Sequence, residues 1–179
     1  MRLPRITSPA VFVFFLLSFI WLVLVFISPL LVPANTLRDL SGTVGTRDNE
    51  DQFANLTLIP KAVYWIGDGE CHQIAERSYF INGNQMPFCA RDLGLFVGLA
   101  FGFGLVSFYR YKVHPLYVLL GLVPLAIDGG LQLVTDYESN NPLRLGTGIV
   151  AGLSLSLLLA HFLLALQEER KRPVEVLLH

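Results

Sequence analysis

The residues best suited to chemistry lie in one stretch, 71–94, which contains both cysteines of the chain. His72 follows Cys71 directly, and Asp92 lies three positions after Cys89. Two thiolates, an imidazole and a carboxylate are ligands that zinc and iron accept. An apolar run follows, so Cys89 and Asp92 fall at a helix start, where their spacing directs both side chains to one place. The stretch therefore predicts a zinc or iron site formed by Cys71, His72, Cys89 and Asp92.

The same two cysteines also fit a disulfide. Thiols outside the cytoplasm are commonly oxidised. A bond between Cys71 and Cys89 would close a loop of about 19 residues and stabilise the fold by about 3 kcal/mol. Two unrelated free thiols are the third interpretation. His72 is compatible with a metal ligand, a general base or an ordinary loop histidine, and the sequence leaves these alternatives open.

Asp128 is the second focus, because it interrupts an apolar run. An ionised carboxylate in the middle of a membrane costs about 2.5–3.5 kcal/mol on insertion scales and usually has a partner. Gln132 lies one helical turn further along the same face, and Arg91 or Arg144 could reach the acid. This predicts either a buried Asp–Arg pair that fixes helix packing or a small polar pocket joined to the cysteine stretch. The predicted pocket residues are Arg77, Arg91, Asp128, Gln132 and Arg144.

Composition indicates that membrane helices position these residues. The chain has 179 residues, of which 53% are hydrophobic and 15% are charged, whereas about 25% are charged in an average soluble domain. The charges fall in clusters between long uncharged runs, which is typical of an integral membrane protein. No basic patch is interleaved with aromatic residues, so we expect the lipid bilayer as a partner and no nucleic acid.

Four apolar runs are candidates to cross the bilayer, whose core of about 30 Å needs about 20 helical residues. The run 9–32 is longer than the ~7–15 residues of a signal peptide's apolar region, so we expect a retained anchor. Pro124 and the pair Gly129-Gly130 interrupt the third run. The sequence predicts an all-α membrane protein with four transmembrane helices, at residues 9–32, 93–108, 116–135 and 145–166.

Polar segments complete the organisation. Residues 34–60 are rich in Asp, Asn, Thr and Gly and predict a solvated loop with little regular structure. The apolar segment 56–66 is too short to span and predicts an interfacial or re-entrant helix before Cys71. The predicted units are an anchor at 1–33, an extracytoplasmic loop at 34–60, a core at 61–166 and a charged cytoplasmic tail at 167–179.

Small residues recur every four positions in the second and fourth runs. Such a stripe lies on one helix face and lets a neighbouring backbone approach closely. We therefore expect these two spans to pack against each other. The stripes are Gly94, Gly98 and Gly102 in the second run, and Gly148, Gly152, Ser156 and Ala160 in the fourth.

Charge predicts the orientation. Seven Lys and Arg and three acids lie in the first tail, the turn 109–115 and the last tail. Six Lys and Arg and ten acids lie in the segments on the opposite side of the predicted spans. Short basic segments remain cytoplasmic. Both termini are thus expected in the cytoplasm and the stretch 71–94 outside, in a multi-pass protein of the plasma membrane.

Four motifs carry a resemblance to a known family. They read C-H-Q-x-x-x-R-S at 71–78, P-x-C-A-R-D-x-G at 87–94, D-G-x-x-Q at 128–132 and R-x-x-T-G at 144–148. The chain resembles the prokaryotic membrane-protein family called domain of unknown function 2085, over about 64–160. The resemblance implies a polytopic membrane protein and no known activity.

Three functions agree with these features. The first is a membrane protein with an outward-facing polar or metal-binding site, with the question of catalysis left open. The second is a non-enzymatic, disulfide-braced accessory or scaffold subunit, with membrane-protein partners or further copies of itself. The third is a small transporter, because Pro124 and the glycine pair could break a helix beside Asp128.

Overall fold

A computed structural model describes residues 6–109 and 114–176 of the chain. The described elements are mostly helical. In chain order they are α1 (Pro9–Ile27), α2 (Glu50–Phe53), α3 (Leu58–Glu70), β1 (Ser78–Ile81), β2 (Asn84–Cys89), α4 (Ala90–Phe108), α5 (Pro115–Leu120), α6 (Val123–Val134) and α7 (Asn141–Val176).

Three helices in the described part of the chain are long and apolar enough to cross a membrane: Pro9–Leu30, Ala90–Phe108 and Asn141–Glu169. They confirm the membrane protein and three of its predicted spans. The third predicted span is instead two short helices, α5 and α6. Pro124 explains the break, because proline has no N–H to donate to the carbonyl of Leu120 and its ring clashes with that carbonyl. A fourth crossing stays a prediction.

Helix α1 runs antiparallel to α4. At one end the Thr7 N–H donates to the Ser107 carbonyl at 2.9 Å. At the other end the Trp21 ring meets Phe96 edge to face, with ring centroids 6.0 Å apart. The outer side of α1 is apolar and open, as at Leu17, which is 60% exposed. That side is suited to lipid contact.

Helices α4 and α7 pack along the predicted stripes of small residues. A Cβ added to Gly94 would overlap the carbonyl oxygen of Leu145, and one added to Gly98 would overlap that of Ile149. The same is true from the side of α7, because a Cβ added to Gly152 would overlap the Leu95 carbonyl. The close packing of the second and fourth spans is therefore confirmed. Because the pairs follow each other in the same order along both helices, α4 and α7 are parallel and begin at the same end.

A β-hairpin precedes α4 and departs from the all-α prediction. Strands β1 and β2 pair antiparallel, with Ser78 opposite Cys89 and an irregularity after Ser78. The turn is Asn82-Gly83, with φ angles of 56° and 69°. Positive φ at both central residues is what a type I′ hairpin turn needs, and Asn-Gly favours it.

The segment 34–60 has little regular structure, as predicted, but it is not simply a solvated loop. Leu37, Leu40 and Phe53 are buried and pack with Tyr64 of α3. The predicted helix before Cys71 is α3, and its Tyr64 hydroxyl donates to the Gln85 carbonyl at 2.6 Å. Segment 34–60, α3 and the hairpin thus form a polar cap beside the helix bundle.

Part of the orientation argument lies outside the described residues. Arg2, Arg5, Arg110 and Lys112 belong to segments that the structure does not describe. Helix α7 continues to Val176, well past residue 166, where a charged tail was expected. The orientation of the termini stays a prediction.

Candidate functional site

Cys71 lies where α3 ends. Its backbone is extended, with φ −138° and ψ 147°, and its side chain is buried, with 4% exposed. The Cys71 sulfur accepts a hydrogen bond from the backbone N–H of Cys89 at 3.4 Å. This contact holds the end of α3 against the start of α4.

Cys89 is the N-cap residue of α4, and Asp92 lies in the first turn of that helix. The Cys89 thiol donates to Asp92 Oδ2 at 3.2 Å. The two sulfurs and one Asp92 oxygen all lie within 4.8 Å of one another. Two sulfur ligands and a carboxylate oxygen at this spacing can converge on one metal ion.

The two thiols differ in acidity. The Cys71 thiol donates toward the Cys89 sulfur and, together with burial, this raises the pKa of Cys71. The same hydrogen bond lowers the pKa of Cys89, because it stabilises the Cys89 thiolate. A cysteine at a helix N-terminus is favoured as a thiolate for the same electrostatic reason. Cys89 is thus the more acidic thiol of the pair.

The disulfide alternative is wrong for this structure. Both cysteines are free thiols. The sulfur of Cys89 turns toward the Asp92 carboxylate, and the sulfur of Cys71 faces the Cys89 amide. The two sulfurs therefore lie close together without a disulfide bond, and the hydrogen bond from the Cys89 amide to the Cys71 sulfur joins the end of α3 to the start of α4.

His72 lies outside the group of potential ligands. Successive side chains of an extended segment point to opposite sides, so the extended backbone at Cys71 sends His72 away from the sulfurs. His72 is exposed and lines the same cavity as the two cysteines, although it lies outside the ligand group. The structure brings together three of the four predicted ligands.

The predicted polar residues of the spans form a chain of contacts. Arg91 Nη2 lies 2.5 Å from Asp128 Oδ2, and the Gln132 amide donates to the same oxygen at 3.3 Å. Arg144 Nη2 donates to Gln132 Oε1 at 3.4 Å. These contacts join the first turn of α4, the middle of α6 and the first turn of α7.

A cavity of about 200 Å³ connects this chain of contacts to the cysteines. Asp128, a predicted pocket residue, is not part of its lining; it pairs with Arg91 and lines a separate, mainly apolar cavity beside Pro124. Asp92 faces a different, mainly apolar crevice beside Trp21 and Phe96. The lining of the cavity includes Cys71, His72, Cys89, Arg77, Arg91, Gln132 and Arg144.

Several buried polar atoms around the cavity have no hydrogen-bond partner. They include Arg91 Nε, Arg144 Nε and Asp128 Oδ1. A buried donor or acceptor without a partner costs about 1–3 kcal/mol, so folded proteins contain few such atoms.

Two buried glutamines were not among the predicted site residues. Gln73 is fully buried at a positive φ of 46°, and its Nε2 donates to the Pro87 carbonyl at 2.7 Å. The Gln85 amide donates to the Gln73 carbonyl. These bonds fix the loop after Cys71 against β2. The signal was available, because Gln73 belongs to the C-H-Q motif.

Comparisons with known proteins agree with the motif resemblance. The family model of domain of unknown function 2085, described as "predicted membrane protein", matches residues 71–158. An uncharacterized protein of Methanocaldococcus jannaschii is 35% identical over 117 residues, which are 63% of this chain and 72% of that protein. An uncharacterized protein of Methanothermobacter thermautotrophicus is 39% identical over 92 residues, which are 49% of this chain and 82% of that protein. No solved structure matches.

Proposed function

Because the chain belongs to the domain of unknown function 2085 family of membrane proteins, we propose that it is a multi-pass protein of the cytoplasmic membrane that binds zinc or iron through Cys71, Cys89 and Asp92. The observation that carries the proposal is the approach of two sulfurs and a carboxylate oxygen to within 4.8 Å of one another. Ligand atoms on a tetrahedral zinc ion, with Zn–S bonds of about 2.3 Å, lie about 3.3–3.8 Å apart. Small side-chain adjustments would complete the site.

The surroundings of the sulfurs support this role. The lowered pKa of Cys89 favours the thiolate, which is the form that binds metal. The Cys89 amide that donates to the Cys71 sulfur would also stabilise negative charge on that ligand. Three protein ligands leave a fourth position for water or a substrate, and both cysteines line the 200 Å³ cavity. A metal at this place would be accessible to a small molecule.

The direction of the helices supports a fourth crossing. Helices α4 and α7 are parallel, so the chain between Phe108 and Asn141 must return along the length of the bundle. Helices α5 and α6 make this return and expose apolar side chains such as Ile127 and Leu133. We propose that together they cross the membrane, with both termini in the cytoplasm and the metal site at the outer face.

Metal analysis of protein purified in detergent without chelator tests the function. We expect about one zinc or iron ion per chain, and its loss in Cys89→Ser and in Asp92→Asn. Asp51→Asn is the matched control, because Asp51 is an exposed acid of α2 away from the site. Wild-type protein without metal after supplementation, or full occupancy in both site variants, would overturn the proposal and favour a non-enzymatic accessory subunit.

A further inference from the structure

Arg144 is a buried cation without an ion pair. Its side chain lies in the first turn of α7 and the residue is 4% exposed. Its hydrogen-bond partners are neutral, Asn141 Oδ1 at 3.2 Å and Gln132 Oε1 at 3.4 Å, and its Nε has none. Among the described residues, ion pairs link Arg77 to Glu138 and Arg91 to Asp128, and none includes Arg144. Glu138 and Asp128 act on Arg144 only at a distance. A buried guanidinium without a directly bonded counter-charge is costly, so this position favours a bound anion.

Two further arginines increase the positive charge there. Arg77 and Arg91 line the 200 Å³ cavity with Arg144. The carboxylate of Glu138, which pairs with Arg77, is 74% exposed, and such a pair contributes little because water screens it. Arg77 and Arg144 also line a second cavity of about 450 Å³, whose lining includes the carboxylates of Glu76 and Glu138. The 200 Å³ cavity has no Asp or Glu among its described lining residues, so it is the better place for an anion.

The backbone adds positive potential at the same end of the bundle. A helix N-terminus carries about half a positive charge and attracts anions. Helices α4 and α7 begin next to each other, because they are parallel and Gly94 contacts the Leu145 carbonyl. Arg91 and Arg144 lie in the first turns of these two helices. Side chains and helix ends therefore favour an anion at the same place.

We infer that Arg77 and Arg144 bind a phosphate-type oxyanion, with Arg91 fixed beside it by Asp128. A guanidinium group matches the spacing of phosphate oxygens and binds them in pairs. The phosphate is either a free ion or the headgroup of a lipid, and the two share this chemistry. The inference does not depend on the metal, because Cys89 and Asp92 supply none of these cationic groups.

Ligand-dependent unfolding tests the inference. Full-length protein in detergent is unfolded by heat with increasing inorganic phosphate, against sodium chloride of equal ionic strength. A second series uses nanodiscs of phosphatidylcholine with or without phosphatidic acid. We expect a saturable rise of the unfolding temperature in one series, and an apparent affinity at least about tenfold weaker in Arg144→Gln. Arg38→Gln is the control, since Arg38 is exposed in segment 34–60.

Each result identifies or rejects the ligand. A response to inorganic phosphate indicates a free oxyanion, and a response to phosphatidic acid alone indicates a lipid headgroup. If Arg144→Gln does not fold, Arg77→Gln and Arg144→Lys replace it and should weaken the response. Cys89→Ser should keep the phosphate response even if it loses metal. No response in either series, or an equal response in the arginine variants, would overturn the inference.

Discussion

The guanidinium of Arg91 lies 2.5 Å from the carboxylate of Asp128 and joins the first turn of α4 to the middle of α6. Asp128 is 5% exposed, so its carboxylate has little contact with water and Arg91 is its paired counter-charge. Of the two sequence-based interpretations of this acid, the buried Asp–Arg pair is present, and the polar cavity lies directly beside it. The pair holds Arg91 in the cavity wall and keeps α6 next to α4.

Arg91→Gln is expected to lower the free energy of unfolding by about 3 kcal/mol, because it leaves the Asp128 carboxylate buried and unpaired. The double variant with Asp128→Asn should recover part of that loss. Equilibrium unfolding in mixed detergent and SDS micelles measures both. Glu138→Gln breaks an exposed pair and serves as the control, with an expected loss of about 0–1 kcal/mol. If Arg91→Gln and Glu138→Gln lowered the free energy of unfolding equally, the assigned role of Asp128 would be contradicted.

Gly98→Ala is expected to destabilise the protein by about 1–3 kcal/mol, because the added methyl group overlaps the Ile149 carbonyl and forces α4 and α7 apart. Gly146→Ala is the matched control in α7, where a Cβ meets open space, and it should be neutral or stabilising by about 0.5–1 kcal/mol. Thermal unfolding in detergent compares the two. A loss in Gly146→Ala as large as that in Gly98→Ala would show that close packing is not the cause.

Cys89 is expected to react with an alkylating reagent at lower pH than Cys71, because the thiolate is the nucleophile and the pKa of Cys89 is lowered while that of Cys71 is raised. In Cys71→Ala, Cys89 loses the thiol that donates to it, so its pKa rises and its alkylation shifts to higher pH. Mass spectrometry of metal-free protein, labelled over a pH series, measures the extent of alkylation at both cysteines. Faster labelling of Cys71 would contradict the assignment of Cys89 as the more acidic thiol.

Metal binding is expected to weaken as pH falls, because protons compete with the metal for the sulfurs. Cobalt(II) replaces zinc in tetrahedral sites and gives thiolate charge-transfer absorption. This absorption should be reduced in Cys89→Ser and retained in Asp51→Asn. A cobalt spectrum without a thiolate band would exclude the cysteines as ligands.

The fourth crossing is expected to place positions 109 and 136 on opposite sides of the membrane. In cells, an impermeant maleimide should label Asp136→Cys directly, and should label Tyr109→Cys and Glu168→Cys only after permeabilisation. The background is Cys71→Ser with Cys89→Ser, so that only the introduced thiol reacts. Labelling of positions 109 and 136 from the same side would exclude a crossing by α5 and α6.

Local patterns in the sequence predicted much of the architecture. Long runs without charged residues predicted α1, α4 and α7, and Pro124 indicated the break in the third run. Cys89 and Asp92 are three residues apart, which is about one helical turn, so helix geometry alone predicted that their side chains are close. The hairpin departs from the all-α prediction although Asn82-Gly83 is a strong turn signal. Its strands are only four and six residues long, and apolar and polar residues do not alternate in β2.

Other features depend on contacts between distant segments. The environment of Cys71 is set by the pairing of β2 with β1 and by Gln73, which reaches the Pro87 carbonyl. No local pattern specifies these contacts. The choice of Arg91 over Arg144 as partner of Asp128 likewise depends on the rotation of α6 relative to α4 and α7.

The interlocking of α4 and α7 has a consequence for biogenesis. Gly98 and Gly152 are separated by about fifty residues, and a ribosome adding about 5–20 residues per second needs about 3–10 s to synthesise them. During that interval the glycine face of α4 is without its partner and must be covered by lipid or by the insertion machinery. The bundle therefore closes only after the last helix enters the bilayer, and a chain truncated before α7 would leave that face as a signal for membrane quality control.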